Sequence, residues 1–322
     1  MKPLNKLIIA VLFLSGTKAF SAGKSVIGEQ IGKILSSPSC QAFRSEIDEL
    51  REHLEISCGD NLRELNACFQ THLLRKSERL HIKEDGRNYK KVSELLKTYS
   101  SYLDPVVPPS RKYGTVVLLG STFTNNADRL ANLLTLHNSG LSFDALLALG
   151  SDRPLDPKFE SKETLTNFLL PPLLTTQRNA DESLPKTEAE AWAYLFKHAA
   201  LPPQWPKPLI LNTLAPAGQA RARTEDTIRD LLQKHASLLK NRPLLFISSQ
   251  PFSLLQEEII KSILKDQEFD MAADAHLIKR YGLDSSFSVQ NMLDTIARHT
   301  YQVLANIEAG VVQECPHLRA NK

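Results

Sequence analysis

Apolar runs alternate with amphipathic helix patterns from residue 113 onward, and this alternation limits the fold more than any other feature of the chain. Buried strands separated by helices are typical of a parallel sheet that is covered on both faces. The sequence therefore predicts an α/β, Rossmann-like domain with helices on both faces of its sheet. Four strands are predicted, with FDMAADAHLI as a candidate fifth: TVVLLGS (115–121), DALLALGS (144–151), PLILNTLA (208–215) and RPLLFISS (242–249).

The chain has 322 residues and divides into four predicted segments. Residues 1–22 have a basic start, the apolar run LIIAVLFL and a small-residue end, which is the order of a secretory signal peptide. An uncleaved anchor is the alternative. Residues 23–108 form a small helical region and a proline-rich linker, residues 109–308 the Rossmann-like domain, and residues 309–322 a C-terminal tail.

Helical periodicity is clear in the N-terminal region, where Leu62, Leu65, Phe69 and Leu73 recur at spacings of three and four. Such helices serve either internal packing or contact with an envelope protein partner. Export would place the mature protein in the periplasm or outside the cell. No other run is long enough to span a bilayer, so no transmembrane segment is expected in the mature chain.

The chain has four cysteines, Cys40, Cys58, Cys68 and Cys315. An even number in an exported protein predicts two disulfides, although buried free thiols are the alternative. Each of the three ways of pairing them joins Cys315 to the N-terminal region.

Charge and motifs exclude several function classes. The 39 basic and 36 acidic residues nearly balance, which argues against nucleic acid as a partner. The sequence has no H-E-x-x-H, G-x-S-x-G, Walker or G-x-G-x-x-G motif and no C-x-x-C spacing. It therefore predicts no metal site and indicates no particular cofactor.

Polar or glycine residues follow the predicted strands, at the edge where ligands bind in parallel sheets. Only one of the three polar residues after the fourth strand is needed to cap the next helix, so the surplus suits the rim of a ligand site. These candidate binding residues are Gly120, Ser121, Gly150, Ser151, Ser248, Ser249 and Gln250.

The tetrad TEAE begins a helix after the second strand. Thr187 and Glu190 have the spacing of a capping box, which explains both residues without a ligand. The cap does not need Glu188, so Glu188 is the first acid/base candidate. Asp152 is the second, and with Arg153 it forms either a ligand pair or a local ion pair.

The loop PAGQARAR precedes a helix that begins at Thr224. A glycine loop with Arg221 and Arg223 beside free helix N–H groups suits a phosphate or a carboxylate. The alternative is that both arginines pair with the acids of the first helical turn or with solvent. The predicted partner is therefore a small anionic ligand.

The residues at the strand ends and at the starts of the following helices are together called the strand exits. These strand exits resemble the bacterial envelope family of SanA, ElyC and YdcF over about residues 113–265. The resemblance implies a Rossmann-like fold and a role in the cell envelope, and nucleotide-like or S-adenosylmethionine binding has been suggested for a member. It adds Arg129, with Leu130, to the candidate binding residues. The matching positions are Gly120, Ser121, Arg129, Leu130, Gly150, Ser151, Thr187–Glu190, Thr224, Thr227, Ser248 and Ser249.

Two functions follow. The favoured one is an exported protein that binds a small anionic ligand, with hydrolysis or transfer on a phosphorylated or nucleotide-like envelope precursor as the chemistry open to it. The alternative is a non-enzymatic envelope factor that acts through protein partners. The family commonly has His and Arg after the fourth strand where this chain has Gln250, which favours the alternative. Whether the chain is an enzyme stays open at this point.

Overall fold

A computed structural model describes most of the chain beyond residue 61, in the ranges 62–74, 89–98, 100–167, 183–240, 242–265, 267–283 and 285–309. The predicted signal peptide, residues 310–322 of the C-terminal tail, and Cys40, Cys58 and Cys315 lie outside these ranges. The chain divides into two compact units, Asp104–Leu277 and a second one that combines Met1–Leu103 with Ile278–Lys322.

The first unit contains a five-stranded sheet in which every neighbouring pair is parallel. The strand order is β3-β2-β1-β4-β5, and this confirms the predicted α/β, Rossmann-like fold. The strands are β1 (Lys112–Leu118), β2 (Ser142–Ser151), β3 (Leu209–Thr213), β4 (Leu244–Ser249) and β5 (Phe269–Asp274).

Helices follow the strands in chain order, as the sequence pattern predicts. The described helices are α1 (Leu62–His72), α2 (Tyr89–Leu96), α3 (Ser100–Leu103), α4 (Phe123–Asn138), α5 (Lys162–Asn167), α6 (Glu188–His198), α7 (Thr224–Leu239), α8 (Ser253–Leu264), α9 (His276–Tyr281) and α10 (Ser286–Glu308).

The central strand β1 is buried on both faces, because its side chains alternate between two apolar clusters. Val116 and Leu118 pack with residues of α4 and α6. Val117 and Leu119 pack in the other cluster with residues of α7 and α8. Helices therefore cover both faces of the sheet, and only the strand ends are left for a site.

The strand order changes direction at β1, which pairs with β2 on one side and with β4 on the other. Leu118 is in register with both Ala148 and Ile247, so the carboxyl ends of the three strands lie side by side. In doubly wound sheets, ligands bind at such a change in strand order.

In the second unit, α10 packs against helices from the N-terminal part of the chain. The Gln70 amide of α1 donates to the Ala297 carbonyl of α10 at 2.8 Å, and Tyr102 lies 2.9 Å from the His299 ring nitrogen. The sequence placed α10 in the Rossmann-like domain, at 109–308, whereas the structure ends the sheet unit at Leu277. Strand and helix patterns along the chain do not reveal which unit a terminal helix joins.

Two further expectations concern the helical unit. Cys68 lies in α1, but the other three cysteines lie outside the described residues, so the two disulfides and the bridge to Cys315 stay predictions. Among the described residues, no helix has the length and apolarity needed to cross a membrane.

Candidate functional site

The start of α6 places Glu188 at the carboxyl edge of the sheet. The Thr187 hydroxyl caps the helix by accepting from the Glu190 N–H at 3.2 Å, as predicted. The Glu190 carboxylate accepts from the Lys186 N–H at 2.6 Å, one residue before the predicted partner. Neither bond uses Glu188, whose side chain is therefore available to the site.

Glu188 is buried between the ends of β1 and β2, with 8% of its surface exposed. The Ser151 hydroxyl donates to its Oε2 at 2.6 Å. A Cβ placed on Gly120 would come within 2.7 Å of its Oε1, so only glycine leaves room for the carboxylate there. Among the described residues, Oε1 accepts no hydrogen bond.

Burial raises the pKa of Glu188 above the ordinary glutamate value because it disfavours the charged form. The charge of Arg153, the hydrogen bond from Ser151 and the charges of Arg129 and Arg221 act in the opposite direction. Glu188 thus combines a raised pKa, a neutral hydrogen-bond donor and a position at the strand ends, which is the environment of an acid/base group.

Close packing brings α6 onto the end of β2. A Cβ on Gly150 would lie 2.6 Å from the Ala189 Cα. Glycine at this position therefore lets the first turn of α6 approach the strand. Gly150 acts on the site by positioning Glu188.

Arg129 of α4 is fully buried and reaches the point where the strand order changes. Its Nη1 donates to the carbonyls of Leu119 and Gly120, the latter at 2.9 Å. Its Nε donates to the Ser249 hydroxyl at 3.2 Å. Burial lowers the pKa of Arg129 to about 10, although the nearby acids Asp274, Glu188 and Asp128 oppose this shift.

Arg153 pairs with Glu160 instead of Asp152. Its Nη1 lies 2.9 Å from a Glu160 carboxylate that is itself fully enclosed. Glu160 also accepts from the Phe123 N–H at the start of α4, at 2.7 Å. Asp152 is held elsewhere, since its Oδ1 accepts from the Ala215 N–H at 3.1 Å.

The two predicted anion-binding arginines differ in position. Arg221 is half-buried and close enough to Glu188 to act on its pKa. Arg223 is exposed, and its N–H donates to Asp226 at 2.7 Å as the cap of α7, which begins at Thr224 as predicted. The structure therefore brings Arg221 to the site and gives Arg223 a capping role.

The polar residues Ser248 and Ser249 at the end of β4, and Gln250 directly after it, are buried and bonded within the chain. Ser248 donates to Gln256, Ser249 donates to Asp274 at 3.3 Å, and the Gln250 amide donates to the Asp104 carbonyl at 2.7 Å. The cap of α8 is Phe252, so none of the three performs the expected capping. Of the strand-exit hydroxyls, Ser121 is half-exposed and accepts from Asn125 at 3.0 Å.

Asn126 and Glu160 were not predicted from the sequence as residues of the site. Asn126 is fully buried in the first turn of α4, and neither amide atom has a hydrogen-bond partner among the residues that the structure describes. It precedes Arg129 by three residues, so both lie on the same side of the helix. A polar residue at an apolar position of the α4 pattern was the signal that could have identified it.

One further group could hold a metal ion. Asp128, Asp274 and His276 each offer a ligand atom, and these atoms lie within 4.8 Å of one another. The Asp274 Oδ1 already accepts from the His276 N–H at 2.9 Å. The sequence predicted no metal site because Asp128 is distant along the chain from Asp274 and His276, and the three form no recognised spacing.

Fold and site together define a Rossmann-like α/β protein with a buried acid at the carboxyl edge of its sheet. No protein-family model, curated protein or solved structure matches the chain significantly. The resemblance to the envelope family of SanA, ElyC and YdcF is therefore a prediction from the strand exits.

Proposed function

We propose that this chain is an exported envelope protein that binds a small anionic ligand beside Glu188 and Arg221. The ligand is a phosphorylated or nucleotide-like envelope precursor, and the reaction is hydrolysis or transfer on it. The proposed site is the part of the sheet edge where β1, β2 and the loop before α7 meet.

The location is supported by two independent features. Residues 1–22 have the basic, apolar and small-residue order of a signal peptide. The chain has four cysteines, and an even number predicts disulfides, which persist mainly in oxidising compartments such as the periplasm. An envelope role also agrees with the resemblance of the strand exits.

The single observation that carries the proposal is the environment of Glu188. The carboxyl is buried, its pKa is raised, and Ser151 binds one of its oxygens. A structural carboxylate at a helix start would normally cap the helix, but here Thr187 and Glu190 do so. Glu188 is thus held at the strand ends without a capping role.

The proposed chemistry assigns Glu188 as the general acid/base and Arg221 as the charge partner of the ligand. Asp152 is the weaker acid/base candidate, since its carboxylate already holds the Ala215 N–H. Ser151 orients the Glu188 carboxyl through a 2.6 Å hydrogen bond.

A non-enzymatic envelope factor is the second candidate, and one observation favours it. Many polar groups at the strand ends satisfy each other. Arg153 pairs with Glu160, Arg129 binds two carbonyls and Ser249, and Gln250 binds Asp104. Such a network can stabilise the edge of the sheet with no ligand at all.

Ligand retention distinguishes the two functions. The mature protein is purified, denatured, and the released small molecules are identified by mass spectrometry. We expect a phosphorylated compound that the Arg221→Ala variant does not retain. The matched control is Arg223→Ala, because this exposed arginine is not among the groups that act on Glu188 and should keep the ligand.

The Glu188→Gln variant separates binding from chemistry. It should keep the ligand, because the cap at Thr187 stays intact, and it should lose turnover of that compound. Equal turnover in the variant and in the wild type would exclude Glu188 as the acid/base group. An empty wild-type protein together with normal partner binding would favour the non-enzymatic factor.

A further inference from the structure

Three side chains with metal-ligating atoms meet at the end of β5. Asp274 is the last residue of β5, His276 begins α9, and Asp128 lies in α4. One ligand atom of each side chain lies within 4.8 Å of the ligand atoms of the other two. Neither Glu188 nor Arg221 belongs to these elements, so the cluster is separate from the residues of the proposed ligand site.

The distances between the ligand atoms suit a bound metal ion better than direct hydrogen bonds. The His276 Nδ1 lies 3.5 Å from the Asp274 Oδ1 and 3.9 Å from the Asp128 Oδ1. An N–H···O hydrogen bond spans about 2.7–3.2 Å. Ligand atoms that lie about 2.0–2.2 Å from a tetrahedral zinc ion are roughly 3.4 Å from one another. Small movements of the three side chains would therefore be enough to coordinate an ion.

The two carboxylates are buried although each has an exposed imidazole as its neighbour. Asp128 and Asp274 are each 6% exposed, whereas His276 is exposed. Both acids attract Arg129, which Glu188 attracts as well. Two carboxylates held close together where water is scarce repel each other. A divalent cation between them would remove this repulsion, and it could enter from solvent on the side of His276.

Hydrogen bonds from outside the cluster orient the Asp274 carboxylate. The Ser249 hydroxyl donates to its Oδ2 at 3.3 Å and itself accepts from the Arg129 Nε at 3.2 Å. The His276 N–H donates to Oδ1 at 2.9 Å. A carboxylate oxygen has two lone pairs, so Oδ1 can still bind a cation. Carboxylates that ligate metals are usually hydrogen-bonded in this way, and the outer partners fix their direction.

We propose that Asp128, Asp274 and His276 bind one first-row transition-metal dication, with Zn²⁺ as the ion that fits best. The imidazole nitrogen disfavours Mg²⁺ and Ca²⁺, because both prefer oxygen ligands. Three protein ligands leave a coordination position for water or for an oxygen of a substrate, as in catalytic zinc sites.

Titration calorimetry tests the inference, with Zn²⁺ as the probe and with Mg²⁺ and Ca²⁺ for comparison. The purified mature protein is first freed of metal with a chelator and is kept under non-reducing conditions. We expect the His276→Ala and Asp128→Asn variants to bind one Zn²⁺ fewer, or to bind it at least about tenfold more weakly, since the loss of an outer partner alone weakens metal binding about 10–100-fold. Circular dichroism checks that both variants are folded.

The matched control is His72→Ala, which removes another exposed histidine, on α1, and should bind Zn²⁺ as the wild type does. Only the difference from the wild type is used, so zinc held by other groups does not affect the result.

Three outcomes would overturn the inference. The first is no binding of Zn²⁺, or equal binding by the wild type and both cluster variants. The second is a loss of Zn²⁺ in His72→Ala as large as in His276→Ala. The third is an affinity for Mg²⁺ or Ca²⁺ that equals the affinity for Zn²⁺. None of these results bears on ligand retention beside Glu188, so the proposed function is tested separately.

Discussion

The Nε of Arg129 donates to the Ser249 hydroxyl at 3.2 Å, and this bond joins α4 to the end of β4 at the point where the strand order changes. The same guanidinium binds the Gly120 carbonyl after β1 at 2.9 Å. A side chain of the protein thus fills the crevice in which doubly wound proteins usually bind their ligands. Glu188 lies at the same edge, beside the ends of β1 and β2.

Replacing Arg129 with Met should destabilise the sheet unit by roughly 3–5 kcal/mol, because the change leaves buried carbonyls and buried acids without their cation. Urea unfolding followed by circular dichroism measures the loss. Arg229→Met is the control, since this exposed arginine pairs with Glu225 on the surface of α7 and should change stability by about 0–1 kcal/mol. Equal effects of the two changes would contradict a structural role for the buried guanidinium.

The stability of Glu188→Gln relative to the wild type should increase with pH. Burial raises the pKa of Glu188 in the folded protein above its unfolded value. Between the two values the folded state binds a proton that the unfolded state has released, so the wild type loses stability as the pH rises through this window. Glutamine does not titrate and avoids the loss.

Chemical denaturation at intervals from about pH 4 to about pH 8 measures the effect. The difference in unfolding free energy should be small at the acidic end and constant above the folded-state pKa. Glu163→Gln, a change at an exposed position of α5, serves as the control. A difference that is constant over the whole range would show that Glu188 has the same pKa in both states.

Replacing Asn126 with Leu should stabilise the protein by about 1–3 kcal/mol, because both amide atoms are buried without a partner in the described part of the chain and each such group carries a desolvation cost. Asn125→Leu is the matched control on the same helical turn. Its amide donates to Ser121 at 3.0 Å, so its loss should destabilise. A destabilised Asn126→Leu variant would mean that the amide has a partner in solution.

Replacing Gly120 with Ala should cost roughly 1–3 kcal/mol and abolish ligand binding, since the added methyl group would meet the Leu149 carbonyl and the Glu188 carboxylate. Gly218→Ala is the control. Gly218 has a φ of 79° with open space around it, so alanine there should cost about 1–2 kcal/mol through backbone strain alone. Ligand retention distinguishes the two variants even if their stabilities are similar.

The strands were predictable because their apolar runs differ clearly from the helical patterns between them. The predicted run 144–151 lies within Ser142–Ser151, and 242–249 contains Leu244–Ser249. The first strand is shifted, with 115–121 predicted and Lys112–Leu118 found. The residue at which a strand begins or ends depends on hydrogen bonds to the neighbouring strands. The local sequence does not specify those hydrogen bonds.

A contact of the site was predictable from the sequence only where a single secondary-structure element determines that contact. The Thr187 cap follows from local spacing and is confirmed. The pairing of Arg153 with Glu160 requires the loop after β2 to fold back onto α4. The burial of Arg129 depends on the placement of β4 beside β1. The pairing of Arg153 and the burial of Arg129 both follow from the strand order. The alternation of strands and helices along the chain does not define that order.

The Glu160 carboxylate occupies the start of α4, where a free anion would otherwise bind the helix N–H group. The carboxylate is bound to the Phe123 N–H at 2.7 Å and joined to the sheet through the short loop after β2. A group on a short tether acts at an effective concentration of about millimolar or more. A free metabolite at micromolar concentration would therefore not displace it from the helix start.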